Sequence, residues 1–142
     1  MPLTANRPKP MVPVLGRPVI DYVKDAMVAA GLSEIIVTTG YQGEQLVGHV
    51  DTWDVPSRVN QEESPMGTAG SVRLLSDELK ETFVVGSGDS VASFDISDLL
   101  ESHRKSGAKV TMALWRVDDP TEYGIVGLSE ENQGNIDSNL TQ

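Results

Sequence analysis

The sequence contains no cysteine. That excludes disulfides, a thiol nucleophile and a Cys-ligated metal, and makes a cytoplasmic setting the default expectation. No apolar run approaches the roughly 20 residues that a membrane-spanning helix needs. No basic segment followed by an apolar stretch is present either, so no secretory signal is visible. Positive charge is scarce, with 11 Lys and Arg against 21 Asp and Glu, a formal net charge of −10. Such a surface repels phosphate backbones and anionic lipid, so neither nucleic acid nor a membrane is expected as a partner. An anionic substrate would have to meet the few cations gathered at its site, together with a divalent metal. The two histidines, His49 and His103, lack any metal-ligand spacing and read as packing or surface residues. No Gly-x-Ser-x-Gly motif and no Ser/His/Asp set can be assembled.

What is present is ordinary for a globular chain: 142 residues, 39% apolar and 23% charged. This is one small α/β-sized domain or part of a larger one. Prolines 2, 8, 10 and 13 make the first sixteen residues an extended loop ordered by packing. Val19, Ile20, Val23, Ala26, Met27 and Ala30 fall at helical spacing, and Gly31 stands where a left-handed terminating residue is expected. Residues 35–39, Ile-Ile-Val-Thr-Thr, predict a buried parallel strand. Further helices are expected over 43–50, 71–79 and 96–106. Further strands are expected near Arg58-Val59, at 83–85, at 110–115 and at 125–128. This alternation points to an α/β fold of Rossmann type, a mostly parallel sheet with helices on both faces. From Ser129 onwards the chain is polar.

Four clusters are candidates for chemistry. In Arg7-Pro8-Lys9-Pro10-Met11 two prolines stiffen the loop that carries Lys9, and a fixed ammonium suits charge neutralisation in phosphoryl transfer. The same lysine also suits a solvated loop. Gly67-Thr68-Ala69-Gly70 opens a helix with small residues and free N–H groups, which fits an anion or the edge of a base; a Gly-rich helix start without ligand fits equally. Asp89 follows Gly86-Ser87-Gly88 just past an expected strand, where open α/β sheets bind ligands. A carboxylate there can hold Mg²⁺ against substrate phosphates or simply cap the next helix. Tyr123-Gly124 could present backbone to a sugar ring or be an edge-strand pair.

In this order and spacing the clusters resemble the sugar-1-phosphate nucleotidylyltransferases. The resemblance runs through Pro2-Leu3-Thr4, residues 7–14, Gly16-Arg17-Pro18-Val19-Ile20, residues 65–70, Gly88-Asp89 and residues 119–126. It covers the chain to about Gly134, implying a partial nucleotidyltransferase domain over 1–134 and a loose polar tail over 135–142. The resemblance implies a transferase that joins a nucleoside triphosphate to a sugar 1-phosphate and releases pyrophosphate, with Mg²⁺ as cofactor. Lys9 would contact phosphate at the reaction centre and Asp89 would ligate the metal. Gly67 and Thr68 would lie against the nucleotide, with Tyr123 and Gly124 at the hexose. The base-reading glutamine would be Gln61, which stands one residue further from Gly67 than the family spacing, through an insertion or a shift of role. A thymidylyl or uridylyl donor is the first expectation and a guanylyl donor the second. A homo-oligomer is left open.

The family's first central strand and the Gly-rich loop ending in Thr-Arg-Leu do not occur in these residues. Neither does its later Glu-Lys-Pro segment, and Asp137 does not match the second metal ligand. Little or no turnover is therefore expected from the 142 residues alone, together with self-association through an exposed strand edge. The alternative reading is a non-catalytic module that binds nucleotide or sugar phosphate.

Overall fold

The computed structural model describes residues 7–40, 43–62, 64, 66–119, 121 and 126. The chain divides into two compact units, Met1–Ser93 and Phe94–Gln142. The expected limit at Gly134 lies outside the described residues, as does the expected strand at 125–128 apart from Val126.

The first unit opens with a 3-10 turn, Lys9–Met11, closed by the Val12 N–H on the Lys9 carbonyl at 3.0 Å. Strands β1 (Pro13–Val14) and β2 (Arg17–Pro18) then form an antiparallel ribbon with Val14 opposite Arg17. The two-residue turn between them has positive φ at both Leu15 (49°) and Gly16 (82°), the geometry that matches strand twist. Helix α1 (Val19–Ala29) follows directly. The Gly31 N–H reaches the Val28 carbonyl and the Leu32 N–H the Met27 carbonyl. With φ +84° at Gly31, this is the glycine termination expected from sequence.

Strand β3 (Ile35–Thr39), helix α2 (Glu44–Val50) and strand β4 (Ser57–Gln61) make one parallel crossover unit, with Ile35 opposite Ser57 and Thr39 opposite Gln61. The helix packs its apolar side inward, leaving Val50 at 0% exposure and Leu46 at 2%. The Asp21 carboxylate joins α1 to this unit, accepting at Oδ1 from His49 Nε2 (2.7 Å) and Trp53 Nε1 (3.0 Å). His49 is thus a packing residue, as expected. The core of this unit is formed by Val19, Ile20, Ile35, Leu46, Val50 and Leu75.

Helix α3 spans Gly67–Leu74, and residues 75–78 form turns. It therefore begins and ends about a turn earlier than the expected 71–79. The positive φ of Gly67 (69°) lets the chain swing sharply into the helix, so Thr68, Ala69 and Gly70 form its first turn rather than a preceding loop.

Two expected strands, at 83–85 and 110–115, are not strands. The reason for the first lies in the pairing of β3. The Ile35 N–H bonds to the Pro56 carbonyl and the Thr39 carbonyl accepts from Glu62 N–H. In a parallel ladder alternate residues turn both backbone groups toward one partner, so Ile35, Val37 and Thr39 face β4. Ile36 and Thr38 face the opposite edge, where no strand lies beside β3 among the described residues. A cavity of 620 Å³ lies there instead, lined by all of β3 on one side and by residues 82–86 on the other. Residues 83–85 thus have the β-rich composition of a strand but no neighbour within bonding reach, and a ladder needs one.

In the second unit helix α4 spans Ile96–Ser106, as expected. Asp95 caps it by accepting from Ser97 N–H at 2.7 Å, and Gly107 ends it at φ 62°. His103 Nδ1 meets Thr111 Oγ1 at 2.8 Å. Residues 110–115 find no ladder partner among the described residues, and Val110 (77% exposed) is left open to solvent.

Candidate active site

Lys9 sits on the stiff 3-10 turn between Pro8 and Pro10, with its side chain exposed and paired with no carboxylate among the described residues. The turn is held in place from below. The Val19 N–H bonds to the Val12 carbonyl (3.0 Å), the Tyr22 hydroxyl donates to the Val14 carbonyl (2.9 Å), and the Arg17 guanidinium meets Asp25 Oδ2 (2.8 Å). The Lys24 ammonium on Oδ1 and Arg17 on Oδ2 hold the Asp25 carboxyl below the usual carboxylate range. Ribbon and helix are thereby one support for the lysine.

Asp89 lies in the loop after residues 83–86, with its carboxylate exposed. Its Oδ1 accepts from the Ser87 hydroxyl at 2.6 Å, while Oδ2 has no partner among the described residues. Gly88 faces Pro10 and Ile20 closely enough that a Cβ there would stand 3.6 Å from Pro10 Cγ and 3.7 Å from Ile20 Cδ1. The loop of Asp89 and the turn of Lys9 are therefore neighbours, and Pro8, Pro10, Gly86 and Gly88 all line the 620 Å³ cavity.

A second cavity of 340 Å³ is lined by Thr38, Thr39 and Gly40 at the carboxyl end of β3, by Glu62 just past β4, by Gly67, Thr68 and Ser71 at the start of α3, and by Val85 and Gly86. Thr38, Thr39, Val72, Val85 and Gly86 line both cavities, so the two adjoin along these residues. The carboxyl ends of parallel strands and the start of a helix converge here, a placement that favours anionic and nucleotide ligands. A side chain at Gly43 nearby would force a shift, since a Cβ there would stand 2.5 Å from Thr39 Cγ2.

The structure thus brings Gly67 and Thr68 to the smaller cavity, while Lys9 and Asp89 line neither cavity themselves and reach the larger one only through their neighbours Pro8, Pro10, Gly86 and Gly88. Gln61 is exposed and lines neither cavity. Tyr123 and Gly124 lie outside the described residues. Glu62 was not singled out by the sequence reading, although the family spacing of a base-reading residue, one position closer to Gly67 than Gln61, falls on it. Its Oε2 accepts from the Met66 N–H at 3.3 Å. Its Oε1 is sealed from solvent with no partner among the described residues, as is Asn60 Nδ2 two residues earlier.

A family model described as Nucleotidyl transferase matches residues 1–138. The chain belongs to the nucleotidyl transferase family. Among curated members it is 34% identical over 136 residues to mannose-1-phosphate guanylyltransferase of Mycobacterium tuberculosis, covering 93% of this chain and 38% of that protein. It is 30% identical over 144 residues to mannose-1-phosphate guanylyltransferase 1 of Arabidopsis thaliana, covering 96% and 40%. The chain thus spans about two fifths of the length of these relatives. Among solved structures, HddC of Yersinia pseudotuberculosis in complex with GMP-PN superposes with a TM-score of 0.69 at 23% identity, over 87% of this chain and 56% of that one. A second structure of HddC gives 0.70 at 21% identity, over 91% and 60%. These likenesses establish the α/β fold of the family, and the lineage is that of sugar-phosphate nucleotidylyltransferases.

Proposed function

We propose that the chain carries the nucleotide end of a sugar-1-phosphate guanylyltransferase site, which converts a hexose 1-phosphate and GTP to a GDP-sugar and pyrophosphate. The observation that supports this best is the shared wall of the two cavities, which sets the Gly67-Thr68 helix start next to the segments that carry Lys9 and Asp89. In this reading an oxygen of the sugar phosphate attacks the α-phosphorus. The bond from that phosphorus to the bridging oxygen breaks, and pyrophosphate leaves with the electron pair. Lys9, projecting from a turn with little freedom, balances the negative charge on the phosphoryl oxygens as it redistributes. Gly67 and Thr68 lie against the nucleoside, and the first-turn N–H groups of α3 add positive potential. The sugar end falls to Tyr123 and Gly124.

Asp89 fits a magnesium ligand. It offers a free carboxylate oxygen at a loop end, and its Oδ1 is oriented by Ser87. Among the described residues no group of three acidic or histidine side chains gathers around a point, so Asp89 would hold the ion together with phosphate oxygens of the substrate. That matches the preference of Mg²⁺ for few protein carboxylates. When bound, Mg²⁺ there neutralises charge on the triphosphate. A guanylyl donor, held second to thymidylyl or uridylyl on sequence, is preferred here because the curated relatives above bear that name.

The test is pyrophosphate release with Mg²⁺, GTP, UTP and dTTP, and mannose or glucose 1-phosphate, on this chain and on a form with a family-like strand and Gly-rich loop placed before Pro2. Turnover is expected to be highest with GTP and the extended form. Lys9→Ala and Asp89→Asn should each lower it by about a hundredfold or more. Release indifferent to both substitutions would remove their assigned roles. Nucleotide binding without release from either form would leave a binding module.

A further inference from the structure

We infer that the larger cavity is a strand-acceptor slot, and that it takes residues 109–115 of a second copy of this chain as a parallel strand between β3 and residues 82–86. The inference does not depend on the nucleotide-site reading. The slot lies wholly in the first unit. On one wall Ile36 and Thr38 turn two N–H and two C=O groups toward it, with no strand beside them among the described residues. On the other, Phe83 and Val85 are exposed although their composition is that of a strand. Aliphatic side chains cover it: Ile20, Val23 and Met27 from α1, and Val72, Leu75 and Leu79 from α3 and the turns after it. Backbone groups that border an apolar cavity need hydrogen-bonding partners. An extended chain supplies them in a row, and a small apolar molecule supplies none. A strand covered by side chains on both faces is apolar along its length and pairs in parallel.

Charge sets the direction of the occupant. Val85 and Gly86 line the smaller cavity with Thr38 and Thr39, so residues 82–86 run the same way as β3. Glu34 and Glu81, at the amino ends of the two walls, both line the slot, are exposed, and have no ion-pair partner among the described residues. A strand that enters parallel to β3 therefore needs a cation at its amino end. Residues 109–115, Lys-Val-Thr-Met-Ala-Leu-Trp, meet each demand, with a lysine first and six uncharged residues after it. In the second unit Val110 (77% exposed) and Met112 (63%) alternate with half-buried Thr111 and Ala113. That is the period of a strand, yet the segment has no ladder partner among the described residues. Gly107, which ends α4 at φ 62°, lets the segment swing out, giving up the contact of Thr111 with His103. Reciprocal exchange across a two-fold axis closes a dimer. Two copies of net charge −10 repel one another as wholes, so a local match of lysine to carboxylates is what aligns them.

The test is size-exclusion chromatography with light scattering on the full chain and three charge variants. Lys109→Glu, and Glu34→Lys combined with Glu81→Lys, each set like charges against one another at the amino end of the slot. Each should weaken dimerisation by about tenfold or more. Mixing these two variant chains matches the charges again in both slots, so the mixture should regain a dimer that neither forms alone. Arg116→Glu, just past the other end of the segment, alters net charge as much as Lys109→Glu does and should dimerise like the wild type. All four positions are exposed, so each variant should keep wild-type circular dichroism and melting. A wild-type chain that stays monomeric at every concentration would overturn the inference. Association indifferent to Lys109→Glu would do so as well, and is what direct pairing of one β3 edge with another would give. Loss with Arg116→Glu but not with Lys109→Glu, or no recovery on mixing, would be equally fatal to it.

Discussion

Two single residues show how much one backbone angle or one oxygen decides. Leu15 is a non-glycine residue in the left-handed region, at φ 49°, and is 93% exposed. A leucine there is disfavoured by about 1 kcal/mol and buries almost nothing in return. Leu15→Asn should therefore stabilise the chain by roughly 0.5–1 kcal/mol, because Asn tolerates this region. Urea unfolding of the two proteins checks it, and an unchanged midpoint would show that the ribbon turn is uncoupled from global unfolding. Glu62 and Gln61 are the second case. They are adjacent in sequence with similar side chains, yet Gln61 ends β4 and is exposed, whereas Glu62 just past it lines the smaller cavity. Spacing along the chain points to position 62 and residue type to Gln61, and only the structure shows which of the two borders a cavity.

At the scale of elements, α1, α2, α4 and β3 follow from local pattern, since apolar periodicity, Gly31 and Gly107 mark them without tertiary help. The support of the Lys9 turn is a relation between elements. Arg17 from β2 and Lys24 from α1 share the Asp25 carboxylate, whose side chain is 45% exposed. Because its ionisation is favoured in the folded state, its contribution is complete above the ordinary carboxylate value of about 4. It is lost as pH falls through the depressed folded value. Solvent screening at that exposure limits it to about 0.5 kcal/mol. Asp25→Asn is thus expected to cost about that much at pH 7, and nothing at a pH low enough to protonate the wild-type carboxyl. Paired urea titrations at pH 7 and in acid would show the difference vanish. A constant difference would mean packing, not charge, is what Asp25 supplies.

At the scale of the whole molecule the decisive feature is the edge of β3 away from β4, which has no strand beside it among the described residues. Ile36 and Thr38 turn four backbone groups, two N–H and two C=O, away from β4 toward the larger cavity. An unpaired edge of this kind templates pairing with another chain. The prediction is concentration-dependent self-association, read by size-exclusion chromatography with light scattering. Ile36→Pro removes one outward N–H without touching the ladder to β4, because Ile36 faces the other way, and an edge position tolerates proline. It should shift the chain toward monomer while far-UV circular dichroism is retained. Association equal to that of the wild type would move the contact to another surface, such as the exposed Val110 and Met112.

The sequence by itself determined the α/β class, the helices and their glycine ends, the parallel character of residues 35–39, and the family. Each of these depends on residue order over short stretches, or on motifs whose spacing survives without coordinates. It also placed Lys9, Gly67, Thr68 and Asp89 as candidates. The tertiary structure alone decided that Gly67 and Thr68 share one cavity, and that the neighbours of Lys9 and of Asp89 line another that borders it, because these segments come together only through the packing of the turn, β3 and α3. It alone showed that 83–85 and 110–115 are not strands. A strand is completed by a neighbour's hydrogen bonds, and no local sequence carries the neighbour. Glu62 emerged the same way, since a buried oxygen without a donor is a property of surroundings and not of composition.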